Sequence, residues 1–386
     1  MMLNWTSEVT CGSKIAALLD QEIEGLFLGS KDNLFAAINP EPTTIVILVP
    51  WFSPPAGSAR DDGPVYSFIC SSSVREQLIA LYPSAPPDKL CFLLLKAVLN
   101  GAIAVDQLLI KQLPCNSSLP YTLPADESAA LLMAHRGRAD YLRIALKYIA
   151  RAHTNFLQVR VGLDVDALDD YRQIMRDLPS AEFYLTPHAP VGPYVLRQQL
   201  AGLSTEDFLV FHDSDDVSTS DRFWRLRAEI ARTGCDFVGS HECLVDEIEH
   251  EVRVRRFPLD ACEALRGGVT HSLLHPASMI SRSSFWKAGG FSTDQIISND
   301  TQFLLRAYFQ LQIRNVDSFL YVRRRHSGAL TVAPNTAICS ALRESIEAPW
   351  RTDFESVKRG LIHLQESSLR CRSRPDVLEL IRLHSQ

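Results

Sequence analysis

In the segment FLVFHDSDD, Phe208 to Asp216, a short apolar run ends in three carboxylates. A buried β-strand that finishes on acids is costly unless those acids meet water, a cation or a partner. Side chains at i and i+2 of an extended segment point the same way, so we expect Asp213 and Asp215 to bind one hard divalent cation, Mn²⁺ or Mg²⁺. Asp216 is expected to turn outward. The stretch therefore predicts a strand that ends in a metal site.

The same acids also have a purely structural interpretation. Asp, Ser and Thr favour the first turn of a helix, and Ser218 to Asp221 lead into a helical run from Arg222 to Ala231. On this interpretation the acids only begin the helix, and the stretch taken alone leaves both interpretations open.

Strand and helix patterns alternate regularly from about Asp126 to the acids. Strands are predicted at Ala129 to His135, Phe156 to Val161 and Glu182 to Leu185 and in the acid-ended run of Phe208 to Asp216, with amphipathic helices between them. Such alternation predicts a largely parallel sheet whose ligands bind at the carboxyl ends of the strands. Beyond the acids the alternation loosens, which favours a mixed sheet.

The sequence pattern divides the chain into three parts. Residues 1–125 form an additional N-terminal α/β region of unknown role, with a buried strand predicted at Ile45 to Val49. Residues 126–335 carry the strand and helix alternation, and residues 336–386 have helical character. Pro114, Pro120 and Pro124 mark an expected exposed connection. The predicted fold class is α/β, with a mixed central sheet flanked by helices and a helical C-terminal tail.

Composition excludes several classes of protein. The chain has 386 residues, 46% of them hydrophobic and 22% charged, which is ordinary for a globular protein. A net charge of −6 gives no reason to expect nucleic acid as a partner. The nine cysteines include no CxxC pair, which favours reduced thiols. No basic-then-apolar leader and no apolar stretch long enough for a bilayer occurs, so we expect a cytoplasmic protein and leave peripheral membrane contact open.

Several ordered motifs together resemble one family. They are HRGRADYLRIALKYI (135–149), VRVGLDVD (159–166), FLVFHDSDD (208–216), HPASMISRSSFWKAGGFSTDQIISNDTQFLLRAYF (275–309) and RRRHSGALT (323–331). Their order is similar to that in the inverting nucleotide-sugar glycosyltransferases of GT-A fold, family 2. The resemblance covers about 200 residues, from Asp126 to Thr331. It implies a Rossmann-like GT-A domain and says nothing about residues 1–125.

The resemblance implies roles for individual residues. Asp213 and Asp215 match the DxD motif, which holds the Mn²⁺ or Mg²⁺ that bridges the donor diphosphate. Asp300 matches the acid that deprotonates the acceptor hydroxyl, and the turn Gly289-Gly290-Phe291 matches the one that shapes the acceptor side. From the local sequence, Ser298 could cap the helix that begins near Thr301, which would place Asp300 in its first turn. Asp300 could equally be only a helix-dipole acid.

Further contacts are expected from the same resemblance. His326 falls where relatives place an additional metal or diphosphate contact. Arg323 and Arg325 could meet phosphate because guanidinium suits bidentate anion binding, although a solvated strand end also explains them. Asp164 or Asp166 is expected to meet the uracil or ribose, and we prefer Asp164 because it lies nearer the strand end.

The function implied is transfer of a sugar from a nucleotide donor, UDP-linked, to a saccharide or other hydroxyl-bearing acceptor with inversion, in glycan or glycoconjugate synthesis. Two alternatives stay open. The string DSDDV from Asp213 also fits the nucleophile loop of haloacid-dehalogenase-like phosphatases, with Asp213 attacking phosphorus. A GT-A fold that only binds its ligand, without catalysis, is the other. The second strand also lacks the consecutive acids usual in the family, which leaves the base specificity of the nucleotide open.

Overall fold

The computed structural model describes residues 35–38, 43–50, 59–65, 67–113, 127–152, 157–372 and 379–384. Its strands are β1 (Phe35–Ile38), β2 (Thr44–Pro50), β3 (Arg60–Pro64), β4 (Ser67–Ser71), β5 (Gln107–Leu113), β6 (Ala129–His135), β7 (Leu157–Leu163), β8 (Glu182–Leu185), β9 (Phe208–Asp213), β10 (Val217–Ser218), β11 (Phe237–Asp246), β12 (Glu251–Arg256), β13 (Met279–Ser281), β14 (Ile313–Arg325) and β15 (Ile381–Leu383).

The helices are α1 (Ser72–Leu81), α2 (Leu90–Leu99), α3 (Ala139–Arg151), α4 (Asp169–Asp177), α5 (Pro193–Leu203), α6 (Arg222–Thr233), α7 (Ala261–Arg266), α8 (Arg282–Lys287), α9 (Asn299–Ala307) and α10 (Ala341–Lys358). Short 3-10 turns occur at Pro87–Lys89, His275–Ala277 and Leu364–Glu366. None of these helices is long and apolar enough to cross a membrane.

The larger sheet is mixed, as the sequence predicts. Its strands lie in the order β10-β14-β11-β13-β9-β6-β7-β8-β15, and β12 and β3 extend it from β11. β6 runs parallel to β7 and β9, whereas β13 is antiparallel to both β9 and β11. β14 returns parallel to β11. The predicted fold class, a mixed central sheet flanked by helices, is therefore confirmed.

Helices cover both faces of this sheet because its central strands are apolar on both sides. In β6, Leu131 packs in a core with residues of α3, α4 and α6, whereas the next residue, Leu132, packs with residues of α5, α8 and α9. Successive strand residues point to opposite faces, so a continuous apolar run needs two cores. This burial fixes β9, the neighbour of β6, in the middle of the sheet and leaves its acids at the carboxyl edge.

The N-terminal region forms a second sheet in the order β1-β4-β2-β5. The predicted strand from Ile45 to Val49 is present within β2 and its side chains are buried. This region shares an apolar core with the larger sheet: residues of β2, β4, β5, α1 and α2 pack with Val217, Cys243, Val245, Val252, Val254, Phe319 and Val322. β3 also pairs with β12 of the larger sheet. The expected connection around Pro114 to Pro124 lies outside the described residues.

The C-terminal tail is not helical throughout, which differs from the expectation. After α10 it ends in β15, which pairs antiparallel with the edge strand β8. Leu383 packs against the core beneath that strand, and Arg382 forms an ion pair with Glu182 at 2.8 Å. This part of the tail forms a strand because the edge of β8 is available for pairing.

Candidate functional site

The acid turn, as we name Asp213 to Asp216, lies at the carboxyl end of β9. Carboxylate oxygens of Asp213, Asp215 and Asp216 all lie within 4.8 Å of one another. The predicted extended geometry is wrong in one respect: the chain turns after Asp213, where the Asp216 N–H faces the Asp213 carbonyl oxygen at 3.5 Å. The turn, and not strand alternation, brings the three carboxylates together.

Asp216 points inward, which corrects the expectation that it turns outward. Its side chain is 1% exposed, and its Oδ1 accepts a hydrogen bond from the backbone N–H of Arg324 at 2.7 Å. That donor comes from β14, far along the chain. A buried carboxylate is tolerated where a donor meets it, and the end of β14 supplies one.

Burial and mutual repulsion act on these acids. Burial raises the pKa of Asp213, Arg197 opposes this, and Asp215 adds to it. Burial and then the charges of Asp215 and Asp213 raise the pKa of Asp216 well above its usual range. Three carboxylates this close together favour an added cation, and an all-oxygen set suits Mg²⁺ or Mn²⁺. The donor set therefore fits the predicted metal.

Arg197 is a member of this site that sequence reasoning missed. It lies on α5, is 5% exposed, and its Nη2 donates to Oδ1 of Asp213. An arginine within the buried face of α5 is unusual, because charged residues are rarely fully buried unless paired. The charge in the run PYVLRQQLAGL, among apolar positions, was the available signal.

Asp300 lies in the first turn of α9, as predicted, and it is held by Tyr194 of α5. The Tyr194 hydroxyl donates to Asp300 Oδ1 at 2.7 Å. Burial alone would raise the pKa of Asp300, but the hydrogen bonds from Tyr194 and from the Thr301 N–H, together with the charge of Arg197, lower it below the ordinary value. Asp300 is therefore ionised at neutral pH, as a base must be.

The expected cap of α9 is not formed. Ser298 has a left-handed backbone, with φ 64°, and its hydroxyl donates to Glu347 Oε1 at 2.6 Å. The Ser298 oxygen also accepts a hydrogen bond from Arg343 Nη1 of α10 at 2.7 Å, so the side chain is directed to α10 and accepts no N–H of its own helix. Asp300 keeps its place in the first turn without it.

A small pocket opens at Asp300. It is lined by Phe237, His271, Leu273, His275, Asp300, Thr301 and Leu304. The His275 ring lies 4.1 Å from the ring centre of Phe211, and burial, then Arg197, lowers the pKa of His275 to about 3. The pocket therefore presents one ionised carboxylate beside a neutral imidazole.

The turn Gly289-Gly290-Phe291 lies against α5. The Phe291 N–H donates to Gln198 Oε1 at 2.8 Å, and the Phe291 ring lies 5.7 Å from that of Tyr194. A β-carbon on Gly290 would come within 2.6 Å of the Gln198 amide, and its φ is +67°. The approach of the turn to α5 therefore requires glycine there.

Asp164 and Asp166 occupy different environments. Asp164 is 3% exposed and accepts hydrogen bonds from the N–H groups of Val191 and Gly192, each at 3.0 Å. It therefore anchors the loop before α5. Asp166 is exposed. The structure gives Asp164 a positioning contact, and the nucleotide role of either acid stays a prediction.

Arg323 and Arg325 are engaged by carboxylates of β11. Arg323 donates from two nitrogens to Glu242, at 2.5 and 3.1 Å, and Glu242 is fully buried. Arg325 donates to Asp246 at 2.7 Å. Both guanidinium groups therefore already have partners, and a phosphate would have to share them.

His326 reaches the acid turn. Its Nε2 lies 3.1 Å from Oδ2 of Asp215, and its Nδ1 accepts the Gly328 N–H at 3.1 Å. Since Nδ1 is an acceptor, the proton lies on Nε2 and is donated to Asp215. To bind a cation through Nε2, the ring must change tautomer and lose the Gly328 bond.

His135, at the end of β6, also holds the acid turn, and sequence reasoning gave it no role. Its Nδ1 lies 2.8 Å from the Ser214 hydroxyl and its Nε2 lies 3.1 Å from Tyr171 Oη. Tyr171 donates its own proton to the Gly137 carbonyl, so Nε2 carries the imidazole proton. Burial lowers the pKa of His135 to about 4, which keeps the ring neutral.

Comparisons with known proteins give structural likeness alone. No family model matches the chain, and no curated protein matches it. It is similar to the crystal structure of Staphylococcus aureus TarS residues 1–349 in complex with UDP-GlcNAc, with 16% identity, a TM-score of 0.44, and a match over 52% of this chain and 60% of that one. The same TarS fragment in complex with UDP matches at 15% identity and TM-score 0.44, over 62% of this chain and 73% of that one. The chain thus spans less than two thirds of the first of these.

Proposed function

We propose that the protein is a metal-dependent glycosyltransferase that moves a sugar from a UDP-linked donor to a hydroxyl acceptor with inversion. One observation carries the proposal: α5 joins a carboxylate cluster suited to a divalent cation to a separate ionised carboxylate. Arg197 of this helix pairs with Asp213, and Tyr194, one turn earlier, bonds Asp300. Single displacement at a sugar needs a group that stabilises the leaving diphosphate and a base for the acceptor.

The chain's own residues would act as follows. Asp300 accepts the proton of the acceptor hydroxyl while that oxygen bonds to the anomeric carbon and the bond from that carbon to the diphosphate breaks. Attack opposite the leaving group inverts the configuration. Asp213, Asp215 and Asp216 would hold Mn²⁺ or Mg²⁺, which when bound neutralises charge on the diphosphate. Arg197 is placed to supply a further positive charge beside Asp213.

A nucleotide-sugar assay tests this proposal. The full chain is incubated with UDP-GlcNAc and other UDP-sugars, with Mn²⁺ or with EDTA, and release of UDP to water or to added acceptors is measured. We expect Mn²⁺-dependent release that is lost in Asp300→Asn. Binding of UDP and Mn²⁺ without release from any donor would instead indicate a binding protein. A trapped phosphoaspartate at Asp213 would indicate the phosphatase.

A further inference from the structure

We propose that the N-terminal region positions the acid turn, and that Arg324 is the positioning residue through which it does so. The backbone N–H of Arg324 donates to Asp216, and its side chain reaches the other way, where Nη2 donates to the carbonyl oxygen of Leu99. Leu99 is the last residue of α2 in the N-terminal region. The inference rests on the proposed function only for the identity of the cation that the acid turn would hold.

The contact between Arg324 and α2 is favourable for both partners. The last carbonyls of a helix lack partners within it and carry partial negative charge, so a guanidinium stabilises them. Arg324 is 3% exposed and its guanidinium carbon lies 3.8 Å from the ring centre of Tyr141. Within the described residues its Nε and Nη1 have no hydrogen-bond partner, and Glu247 lies 3.8 Å away. The Leu99 carbonyl is therefore the hydrogen-bond acceptor that the buried Arg324 guanidinium has among the described residues.

The alternation of β14 connects the two sides of the sheet. Val322, two residues before Arg324, packs in the apolar core that α2 and β2 share with the larger sheet. Tyr321 faces the opposite side, where its hydroxyl accepts the Asp213 N–H at 3.0 Å. A displacement of this strand end would therefore move donors and acceptors at both Asp213 and Asp216.

A second contact ties the N-terminal region to the other end of the acid turn. Ser220, four residues after Asp216, donates its N–H to the Leu108 carbonyl at 2.9 Å. The Leu108 N–H donates in return to the Ser220 hydroxyl at 3.0 Å. Leu108 lies in β5, so the N-terminal sheet holds the segment after the acid turn while α2 holds the strand beside it.

The test compares two arginines that join the same regions of the full-length chain. Arg324→Met removes the contact with Leu99. Arg151→Met is the matched control, because Arg151 of α3 donates to the Val105 carbonyl at 2.6 Å and, among the described residues, forms no hydrogen bond with the acid turn. Mn²⁺ affinity is measured by calorimetry, and hydrogen–deuterium exchange of residues 213–220 is measured without metal.

We expect Arg324→Met to weaken Mn²⁺ binding by roughly 10–100-fold, the usual effect of disturbing an outer partner of a metal ligand, because the residue 324 N–H would no longer be held in place beside Asp216. Exchange in residues 213–220 should become faster. Arg324→Lys, which keeps a donor for Leu99, should restore most of the affinity, and Arg151→Met should leave both measurements unchanged. Wild-type affinity and exchange in Arg324→Met, or equal losses in Arg151→Met, would overturn the inference.

If Arg324→Met does not fold, Ser220→Ala replaces it, since it removes the acceptor of the Leu108 N–H. Faster exchange in residues 213–216 then supports the inference and unchanged exchange overturns it. If the wild-type chain binds no Mn²⁺, the proposed metal site fails, while the exchange measurement made without metal still decides whether the N-terminal region positions the turn.

Discussion

Arg197 on α5 donates a hydrogen bond to Asp213 at the end of β9, so a buried guanidinium lies beside the carboxylates proposed to bind a cation. The same helix carries Tyr194, which bonds Asp300. α5 therefore links the proposed metal site to the proposed base. In the absence of a divalent ion, Arg197 supplies part of the positive charge that the acid turn needs.

Replacing Arg197 should make stability depend more strongly on metal. In Arg197→Met, Asp213 loses its guanidinium partner, and we expect the free energy of unfolding without metal to fall by about 1–3 kcal/mol. The value lies below that for a fully buried pair because the Asp213 side chain is 37% exposed. Mn²⁺ should then raise Tm more in the variant than in wild type. Arg160→Met is the control, because Arg160 pairs with Glu182 and Glu206 at 2.8 Å, outside the acid turn. An equal Mn²⁺ shift in all three proteins would contradict the prediction.

Asp215→Asn should remove most metal-dependent nucleotide binding and leave the fold intact. The substitution takes away one oxygen ligand and relieves repulsion among the three acids, so the metal-free protein should be no less stable. Calorimetry with UDP, with and without Mn²⁺, measures the effect. Asp169→Asn, at an exposed acid on α4, is the control. Unchanged Mn²⁺-dependent UDP affinity in Asp215→Asn would exclude it as a ligand.

Asp300→Asn should keep donor affinity and lower turnover by on the order of 10²-fold or more, the usual contribution of a general base. Tyr194→Phe should act differently, since it removes a hydrogen bond that lowers the pKa of Asp300. The base works when ionised, so activity falls as pH drops through its pKa. In Tyr194→Phe this loss should occur at a higher pH. Coincident pH profiles, or turnover of Asp300→Asn within a few-fold of wild type, would contradict these roles.

Asp216→Asn should stabilise the metal-free protein at neutral pH. The pKa of Asp216 is raised in the folded state, so the folded protein binds this proton more tightly than the unfolded chain does. Stability therefore falls as pH rises above the ordinary Asp value, and Asn, which can still accept the Arg324 N–H, avoids this loss. Urea unfolding in EDTA at pH 4 and pH 7.5 should show that the free energy of unfolding of Asp216→Asn exceeds that of wild type by more at the higher pH. A stability difference between Asp216→Asn and wild type that becomes smaller as pH rises would contradict the prediction.

A fragment of residues 121–386 should aggregate. Deleting the N-terminal region would expose apolar residues of β11, β12 and β14 that the shared core buries, among them Val245, Val254 and Val322. Large exposed apolar patches drive association. Expression and gel filtration of the fragment beside the full chain measure this. A monomeric fragment that binds UDP and Mn²⁺ like the full chain would show that the larger sheet is independent.

Local pattern was enough to find much of the sheet. The bounds of β6 and β8 agree with the sequence prediction, because apolar runs closed by polar residues are a property of neighbouring positions. Asp300 in the first turn of its helix follows in the same way. The bounds of β14 do not: the local pattern predicts a strand only from Ser318 to Arg323, whereas β14 begins five residues earlier, at Ile313, because pairing with β11 extends it.

Adjacent residues are enough to predict that a buried strand ends in acids and that the surrounding elements alternate, since both are local patterns. The inward position of Asp216 and the contacts of Arg197 and Arg324 with the acid turn follow only from the assembled fold. The partners of Asp216 and Arg324 lie 108 and 225 residues away along the chain, at positions no local period relates. A buried charge is placed by whichever distant donor or acceptor the packed fold brings to it, and that partner exists only once the sheets have assembled.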